Sequence, residues 1–101
     1  MGRKNLKVRW TRPALADLSE AQDYIARDNP SAAEALAKRV WEAANNLGEY
    51  PEIGQQGHAP GTREWAVSQT PYLIVYRIKD EAVEILRVWH GRRNWQGSPL
   101  N

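Results

Sequence analysis

The sequence predicts an α+β protein in which an N-terminal strand and an antiparallel helical hairpin precede a three-stranded antiparallel meander. Two segments, residues 14–25 and 33–47, repeat small and aliphatic residues at the three- and four-residue intervals of amphipathic helices. A segment rich in glycine and proline, residues 48–61, separates them from three runs of β-branched and aromatic residues. The predicted order is β-α-α-β-β-β, with one layer of helices covering one face of a curved sheet.

The first strand and the first helix are predicted within residues 7–27. Residues 7–11 alternate between polar and β-forming side chains, which is typical of a short strand. Thr11 can then cap a helix whose first turn accommodates Pro13. The apolar face of this helix is predicted to carry Ala14, Leu18, Ala21 and Ile25.

The second helix is predicted to begin at Pro30, after the capping residue Asn29, and to end at Gly48. Its apolar face is predicted to carry Ala33, Leu36, Ala37, Val40, Ala44 and Leu47. Because only a short break separates the two helices, they should form an antiparallel hairpin, and their small residues should allow a close approach.

The second half of the chain is predicted to form a loop and then three strands. The strands fall at residues 63–68, 72–78 and 83–89, and short polar turns join them. The run at 72–78 is almost continuously β-forming, as expected for a strand buried on both faces in the middle of a sheet. The loop is predicted over residues 48–61, since glycine and proline recur throughout that segment.

Composition sets the class of protein. A chain of 101 residues has room for one modest core, so we predict a single domain over residues 1–101. No apolar run approaches the ~20 residues of a membrane span, and the N-terminus lacks the apolar stretch of a secretory signal. The absence of cysteine excludes disulfides and thiolate chemistry. We therefore expect a cytoplasmic protein with no membrane association.

Charge is distributed unevenly although the net charge is only +2. Residues 1–12 carry five basic side chains and no acidic one, whereas residues 13–52 carry eight acidic and three basic ones. Such a molecule can present a basic surface to an anionic partner while its other face stays acidic. The alternative is that these are solvated charges that serve solubility alone.

An ordered set of motifs carries a family resemblance. The segments are PEIG at 51–54, GTREW at 61–65, PYLIVYR at 71–77 and EILRVWHGRRNW at 84–95. The last of these is close to a His-Gly-x-Arg-x-Trp ending. Together with the order of elements, these motifs resemble the ParE/RelE superfamily of bacterial toxins over about residues 7–96.

The resemblance implies a toxin of a type II toxin–antitoxin module. Its partner would be a cognate, ParD-like antitoxin encoded beside it, which folds onto the toxin in a hetero-oligomer and alone contacts operator DNA. Two activities occur on this fold, and the fold cannot choose between them. ParE-like members poison DNA gyrase and so block replication, whereas RelE-like members enter the ribosome and cut messenger RNA. Neither activity implies a cofactor.

The positions that carry RelE-like chemistry favour the ParE-like branch. RelE-like members have lysines in the second strand, where this chain has Glu64 and Ala66. They place an arginine after the tyrosine that opens the third strand and another after the final histidine, where this chain has Leu73 and Gly91. An acid and small or apolar groups cannot stabilise charge on a phosphate. The prediction is a gyrase inhibitor that acts without bond-breaking chemistry of its own.

Two alternatives stay open. A RelE-like, ribosome-dependent nuclease could use a rearranged set comprising Arg63, His90 and Arg92, with His90 in general acid–base work. His90 could equally fix the end of the last strand by hydrogen bonding. The weaker alternative is a non-toxic chain that survives as an antitoxin-binding or co-repressor partner.

The residues expected to bind the antitoxin or the target are basic or aromatic and lie on the sheet and the tail: Arg63, Arg77, Arg92, Arg93 and Trp95. Arg87 is expected to share a strand face with Ile85 and Trp89, and either to stack on Trp89 or to pair with Glu64 or Glu84.

No metal site is predicted. The two histidines, His58 and His90, are distant in the sequence, and the acids show no ligand spacing. His58, in the glycine-rich loop, is expected to have no particular role.

Overall fold

The computed structural model describes residues 5–91, which form two helices and five strands. The helices are α1 (Arg12–Ala26) and α2 (Pro30–Glu49). The strands are β1 (Lys7–Trp10), β2 (Gln55–Gln56), β3 (Arg63–Ala66), β4 (Tyr72–Lys79) and β5 (Ala82–His90). The predicted order of a strand, two helices and a meander is confirmed, with β2 as an addition.

The five strands form one mixed sheet in the order β1-β5-β4-β3-β2. The predicted meander is present, because β3 pairs with β4 and β4 with β5, both antiparallel. Strand β1 pairs parallel with β5, so the first and last described strands are neighbours. The helical hairpin is the connection that carries the chain from β1 across the sheet.

Strand β2 corrects the prediction of an uninterrupted loop over residues 48–61. Gln55 pairs with Glu64 and Gln56 with Arg63. Two consecutive glutamines have no apolar alternation, so their pairing with β3 has no signal in the local sequence.

Both helices begin as predicted. The Thr11 side chain accepts a hydrogen bond from the Ala14 N–H at 3.3 Å, and Asn29 Oδ1 accepts one from the Ala32 N–H at 3.1 Å. The predicted apolar faces point into the core, although Ile25 and Ala37 are only partly buried. The buried residues of these two faces are Ala14, Leu18, Ala21, Ala33, Leu36, Val40, Ala44 and Leu47.

Gly48 does not end α2 as predicted. The helix continues to Glu49, and Gly48 is buried within it. The Leu6 N–H donates to the Gly48 carbonyl at 2.8 Å. A Cβ at position 48 would lie 2.7 Å from the Leu6 carbonyl oxygen and 3.0 Å from Val8 Cγ2. The glycine therefore permits close contact between α2 and the chain entering β1.

Strand β4 is central and buried on both faces, as predicted, since Ile74, Val75 and Tyr76 are all 0% exposed. Its pairing with β5 is irregular, because Val75 faces Arg87 while Tyr76 faces Ile85. The extra residue in β5 interrupts the alternation of faces.

This bulge corrects the prediction that Ile85 and Arg87 share a face. Ile85 belongs to the core cluster beneath the helices, as does Val88 on the far side of the bulge. In a regular strand, Ile85 and Val88 would point to opposite faces because they are three residues apart. The faces that the spacing predicts for residues after Ile85 are therefore wrong.

An aromatic pair joins β1 to α2. The rings of Trp10 and Trp41 lie 4.6 Å apart between centroids, and 43% of Trp41 stays exposed.

Neither α1 nor α2 combines the length and the apolar character needed to cross a membrane.

Candidate functional site

The positions where the resemblance places nuclease chemistry come together around the ends of β3, β4 and β5. Ala66 pairs with Leu73, which in turn pairs with the buried Trp89. The Gly91 N–H donates to the Pro71 carbonyl at the end of the same strands. The structure thus gathers these positions, and the side chains that they bring are small or apolar.

Glu64, the remaining such position, anchors a loop. Its side chain is 6% exposed, and its Oε2 accepts a hydrogen bond from the His58 N–H at 3.0 Å. The same oxygen lies 2.9 Å from His58 Nδ1. His58, expected to have no particular role, therefore ties the loop before β3 to the sheet. A carboxylate held in this way repels a phosphate group.

Arg63, a predicted site residue, is engaged by the same region of the chain. One terminal nitrogen of its guanidinium donates to the carbonyls of Gly54 at 2.8 Å and Glu52 at 3.2 Å. The arginine thus holds the segment between α2 and β2. The side chain is half-buried, so part of its charged surface remains open to solvent.

Tyr76 holds that segment from the core. Its hydroxyl accepts from the Gly54 N–H at 2.9 Å and donates to the Pro51 carbonyl at 2.8 Å. A Cβ at position 54 would lie 2.5 Å from the Tyr76 hydroxyl oxygen. Burial of the phenol raises its pKa above 10.0. The conformation of the PEIG segment therefore depends on a tyrosine and a glycine that fit directly together.

Arg87 stacks on Trp89, and its guanidinium carbon lies 5.0 Å from the ring centroid. This stacking was one of the two predictions for Arg87. Its ionic partner is neither Glu64 nor Glu84. The guanidinium donates to both oxygens of Asp17 on α1, at 2.8 and 2.9 Å. This hydrogen bonding raises the pKa of Arg87, so the side chain stays charged.

Asp17 has a second role at the edge of β5. Its Oδ2 also accepts the Val88 N–H at 3.0 Å. Strand β1 pairs with β5 only as far as Ile85, beyond which the edge of β5 lies against α1. The carboxylate therefore satisfies an edge backbone group and a guanidinium together.

His90 closes β5, and its ring meets the Tyr72 ring edge-on at a centroid distance of 5.4 Å. Both line a cleft of about 210 Å³ against α1, with Asp17, Glu20 and Tyr24 on the opposite wall. The hydrogen bond considered for His90 at the end of the last strand stays a prediction.

Two members of the proposed nuclease set, Arg63 and His90, lie on different strands of the sheet. Arg63 pairs with Tyr76, and His90 pairs with Tyr72, which lies four residues before Tyr76 on β4. At the rise of a β-strand, Tyr76 and Tyr72 are roughly 13 Å apart. The other predicted site residues, Arg92, Arg93 and Trp95, lie outside the described residues.

Arg77 forms a cross-strand ion pair, with its Nε 2.6 Å from Glu84 Oε1. Hydrogen bonding to Arg77 holds the pKa of Glu84 below its ordinary value, and the charges of Lys79 and Arg9 act in the same direction. Of the predicted binding residues, Arg77 lies on the sheet face opposite the helices and remains 42% exposed.

Sequence reasoning missed Asp17 and Tyr76 as organising residues. Asp17 lies on the polar side of an amphipathic helix, where a carboxylate is ordinary, and Arg87 is 70 residues away. Tyr76 lies in a run of β-forming residues, and nothing in the run distinguishes it from its neighbours. The one available signal was the PEIG segment itself, since a glycine permits a close approach to the backbone.

The sequence and the fold of this chain are similar to those of known proteins. The sequence matches the ParE toxin of the type II toxin–antitoxin system parDE over residues 8–95. This chain belongs to the ParE toxin family. It is a toxin of a type II toxin–antitoxin system within the ParE/RelE group.

Relatives of this ParE-family toxin include a protein named RelE. Y4kP of Sinorhizobium fredii is 42% identical over 95 residues, which cover 94% of this chain and 96% of that protein. Toxin RelE2 of Caulobacter vibrioides is also 42% identical, covering 86% of this chain and 97% of its own.

The fold is also similar to a solved toxin structure. The chromosomal ParDE toxin–antitoxin system from P. aeruginosa superimposes with a TM-score of 0.79 at 25% identity, covering 85% of this chain and 96% of that one. That structure comes from a toxin–antitoxin pair, which supports a cognate antitoxin as the partner of this toxin.

Proposed function

We propose that this toxin arrests growth by binding DNA gyrase and that it cuts no RNA itself. The observation that carries the proposal is the character of the side chains where superfamily nucleases place cations. Ala66 and Leu73 lie side by side, and the nearby Glu64 is a buried carboxylate held by His58. Membership of the ParE family supports the same target.

The alternative of a ribosome-dependent nuclease is favoured by one observation, the 42% identity to a relative named RelE2. The geometry argues against it. General acid–base catalysis needs its groups within hydrogen-bonding reach of one substrate, and Arg63 and His90 are paired with β4 residues four positions apart. Part of the Arg63 guanidinium is also engaged, because it donates hydrogen bonds to the Gly54 and Glu52 carbonyls.

The test of the target is DNA supercoiling by purified gyrase with increasing toxin. The proposal expects lost supercoiling at micromolar toxin together with trapped, cleaved DNA. Full supercoiling at those concentrations overturns it. A toxin mixed beforehand with its antitoxin is the matched control, and supercoiling should then be restored.

A cognate, ParD-like antitoxin in a hetero-oligomer is the proposed neutralising partner, and contact with operator DNA is assigned to it. We place part of its contact on the hairpin, which exposes three large apolar or aromatic residues: Leu15, Tyr24 and Trp41. Their exposed fractions are 44%, 68% and 43%. Extended or helical antitoxin segments bury such residues when they fold onto a partner. Arg92, Arg93 and Trp95 remain proposed contacts on the strength of the sequence.

Co-purification tests the antitoxin contact. The product of the neighbouring reading frame should be retained by the tagged toxin. Changing Trp41→Ser should weaken retention at least about tenfold, since a buried aromatic anchor contributes about 2 kcal/mol or more. Lys38→Ser, an exposed change on the same helix, should have little effect. Equal retention of both variants contradicts the placement of this contact, and no retention of any product contradicts the pairing itself.

A further inference from the structure

The end of the sheet formed by β1, β5 and the C-terminal part of β4 carries two rows of side chains in register. Lys7, Ala82 and Lys79 face one another across the three strands. Arg9, Glu84 and Arg77 form the next row. Directly opposed residues of paired strands project from the same face, so four cations surround one carboxylate and one alanine. These four cations, Lys7, Arg9, Arg77 and Lys79, are called the basic strip below.

The basic strip lies on the sheet face opposite the helices. Val83 and Ile85 on β5 belong to the core cluster beneath the helices, so Glu84 between them points to the other face. Its neighbours in the row point the same way. The strip is thus distinct from the Ala66 and Leu73 region, which lies towards the opposite end of β4.

The charge of the strip is available to a partner. Glu84 is engaged by Arg77 Nε at 2.6 Å, a contact that does not involve the terminal nitrogens of that guanidinium. Lys7, Arg9 and Lys79 are exposed. Two acids of the following turn, Asp80 and Glu81, lie beside Lys7 and Arg9 at one border. In the sequence, residues 1–12 contain no acid.

The chemistry of the strip fits a phosphate backbone better than a protein surface. Protein interfaces are built around buried apolar or aromatic anchors. The only apolar residue in the two rows is Ala82, which is 1% exposed and offers no anchor. Interfaces with nucleic acids are polar and strongly positive, and most of their contacts are made to phosphate.

The spacing agrees with that chemistry. Lys7 and Arg9 are two residues apart on β1, as are Arg77 and Lys79 on β4, so each pair is spaced by ~6.6 Å along its strand. Such a separation is similar to that of successive phosphates on one nucleic-acid strand. The two pairs are separated by β5, at roughly 10 Å.

We propose that the basic strip binds the phosphate backbone of a nucleic acid without reading its sequence. Recognition of operator sequence stays with the antitoxin, and the strip adds contacts that depend on charge alone. This inference does not rest on gyrase as the target, because it concerns a different partner.

The test is the fluorescence anisotropy of a labelled 20-base-pair DNA duplex titrated with the full chain. With three or four phosphates neutralised, log affinity should fall against log salt with a slope of about −3. Affinity should therefore drop roughly 60-fold between 50 and 200 mM salt. No binding at 50 mM salt overturns the proposal.

A matched pair of variants locates the contact. The triple change Lys7→Gln, Arg9→Gln and Lys79→Gln should weaken binding at least about tenfold and bring the slope to about −1. The control, Arg27→Gln, Lys38→Gln and Arg39→Gln, removes the same charge from the helical layer and should retain the slope of the unchanged protein. Equal losses in both variants mean that net charge alone attracts DNA, and the strip is then refuted.

Two further arms keep the result decisive. Exchanging Lys7→Arg and Lys79→Arg preserves charge and should preserve binding, which separates loss of charge from loss of fold. Poly-glutamate at the same charge concentration should compete poorly with unlabelled duplex. If it competes equally well, the strip binds acidic chains in general and the assignment to nucleic acid is wrong. Gyrase inhibition is measured in a separate assay. The proposed gyrase target and the proposed nucleic-acid contact can therefore fail independently of each other.

Discussion

At the residue scale, Tyr76 links the core of the sheet to the segment that follows the helices. Its hydroxyl donates to the Pro51 carbonyl and accepts from the Gly54 N–H within a fully buried side chain. Removing the hydroxyl by Tyr76→Phe leaves both backbone groups without this partner. We expect a loss of roughly 1–3 kcal/mol in the free energy of unfolding, measured by urea denaturation. An unchanged free energy of unfolding would contradict the role given to this residue.

The same tyrosine predicts a pH dependence. Its folded pKa lies above the unfolded value of 10.0, so the folded chain retains a proton that the unfolded chain releases. The contribution is therefore complete below the unfolded pKa and is lost as the pH rises through the folded pKa. Between about pH 9 and pH 11 the free energy of unfolding should decline more steeply in the unchanged protein than in Tyr76→Phe. Equal slopes in the two proteins would refute this origin.

Asp17 gives a second prediction at this scale. Its side chain is 11% exposed and that of Arg87 is 30% exposed, so their two hydrogen bonds are partly shielded from water. A double-mutant cycle with Asp17→Asn and Arg87→Gln should yield a coupling free energy of roughly 1–3 kcal/mol. Asp23→Asn, an exposed change on the same helix, should alter stability by less than about 0.5 kcal/mol. A coupling near zero would show that the pair contributes nothing.

What the sequence could predict at this scale is limited to local chemistry. Thr11 and Asn29 were identifiable as caps because a cap needs only its own three-residue neighbourhood. The partners of Arg87 and Glu64 were not, because Asp17 is remote in sequence and His58 reaches Glu64 through a loop. Periodicity gives the face on which a residue lies, and one bulge in β5 is enough to reverse it.

At the element scale, Gly48 shows tertiary contact overriding helix propensity. Alanine is the better helix former by about 1 kcal/mol, yet a Cβ there would lie 2.7 Å from the Leu6 carbonyl oxygen. We expect Gly48→Ala to lower the free energy of unfolding by roughly 1–3 kcal/mol through overpacking. Asn45→Ala, on an exposed position of the same helix, should be neutral or slightly stabilising. A stabilised Gly48→Ala protein would mean that β1 moves aside without cost.

The elements themselves were largely predictable, since each helix carries its own period and the long strands are runs of β-forming residues. The failures occur where an element depends on a distant partner. Strand β2 exists only through pairing with β3, and the parallel neighbour of β1 lies at the far end of the described chain. Neither has a signal in its own residues.

At the scale of the whole molecule, the two layers differ in charge. Residues 12–52, which include both helices, carry eight acidic and four basic side chains, whereas the opposite sheet face carries the basic strip. A molecule of this kind should orient in the field of a charged partner, and its association rates should fall as salt rises. The fold and the family follow from the whole pattern of elements and motifs. The target does not, because a relative named RelE2 and a solved ParDE system are both similar to this chain.

The most direct test of the central claim, toxicity without RNA cleavage, is the mapping of transcript ends in bacteria in which the toxin is induced without its antitoxin. The account predicts growth arrest with translated messages intact, and growth that resumes when the antitoxin is supplied. New 5′ ends within translated messages, appearing before growth stops, would contradict it. Unimpeded growth would instead favour a chain that binds its antitoxin but has lost toxicity.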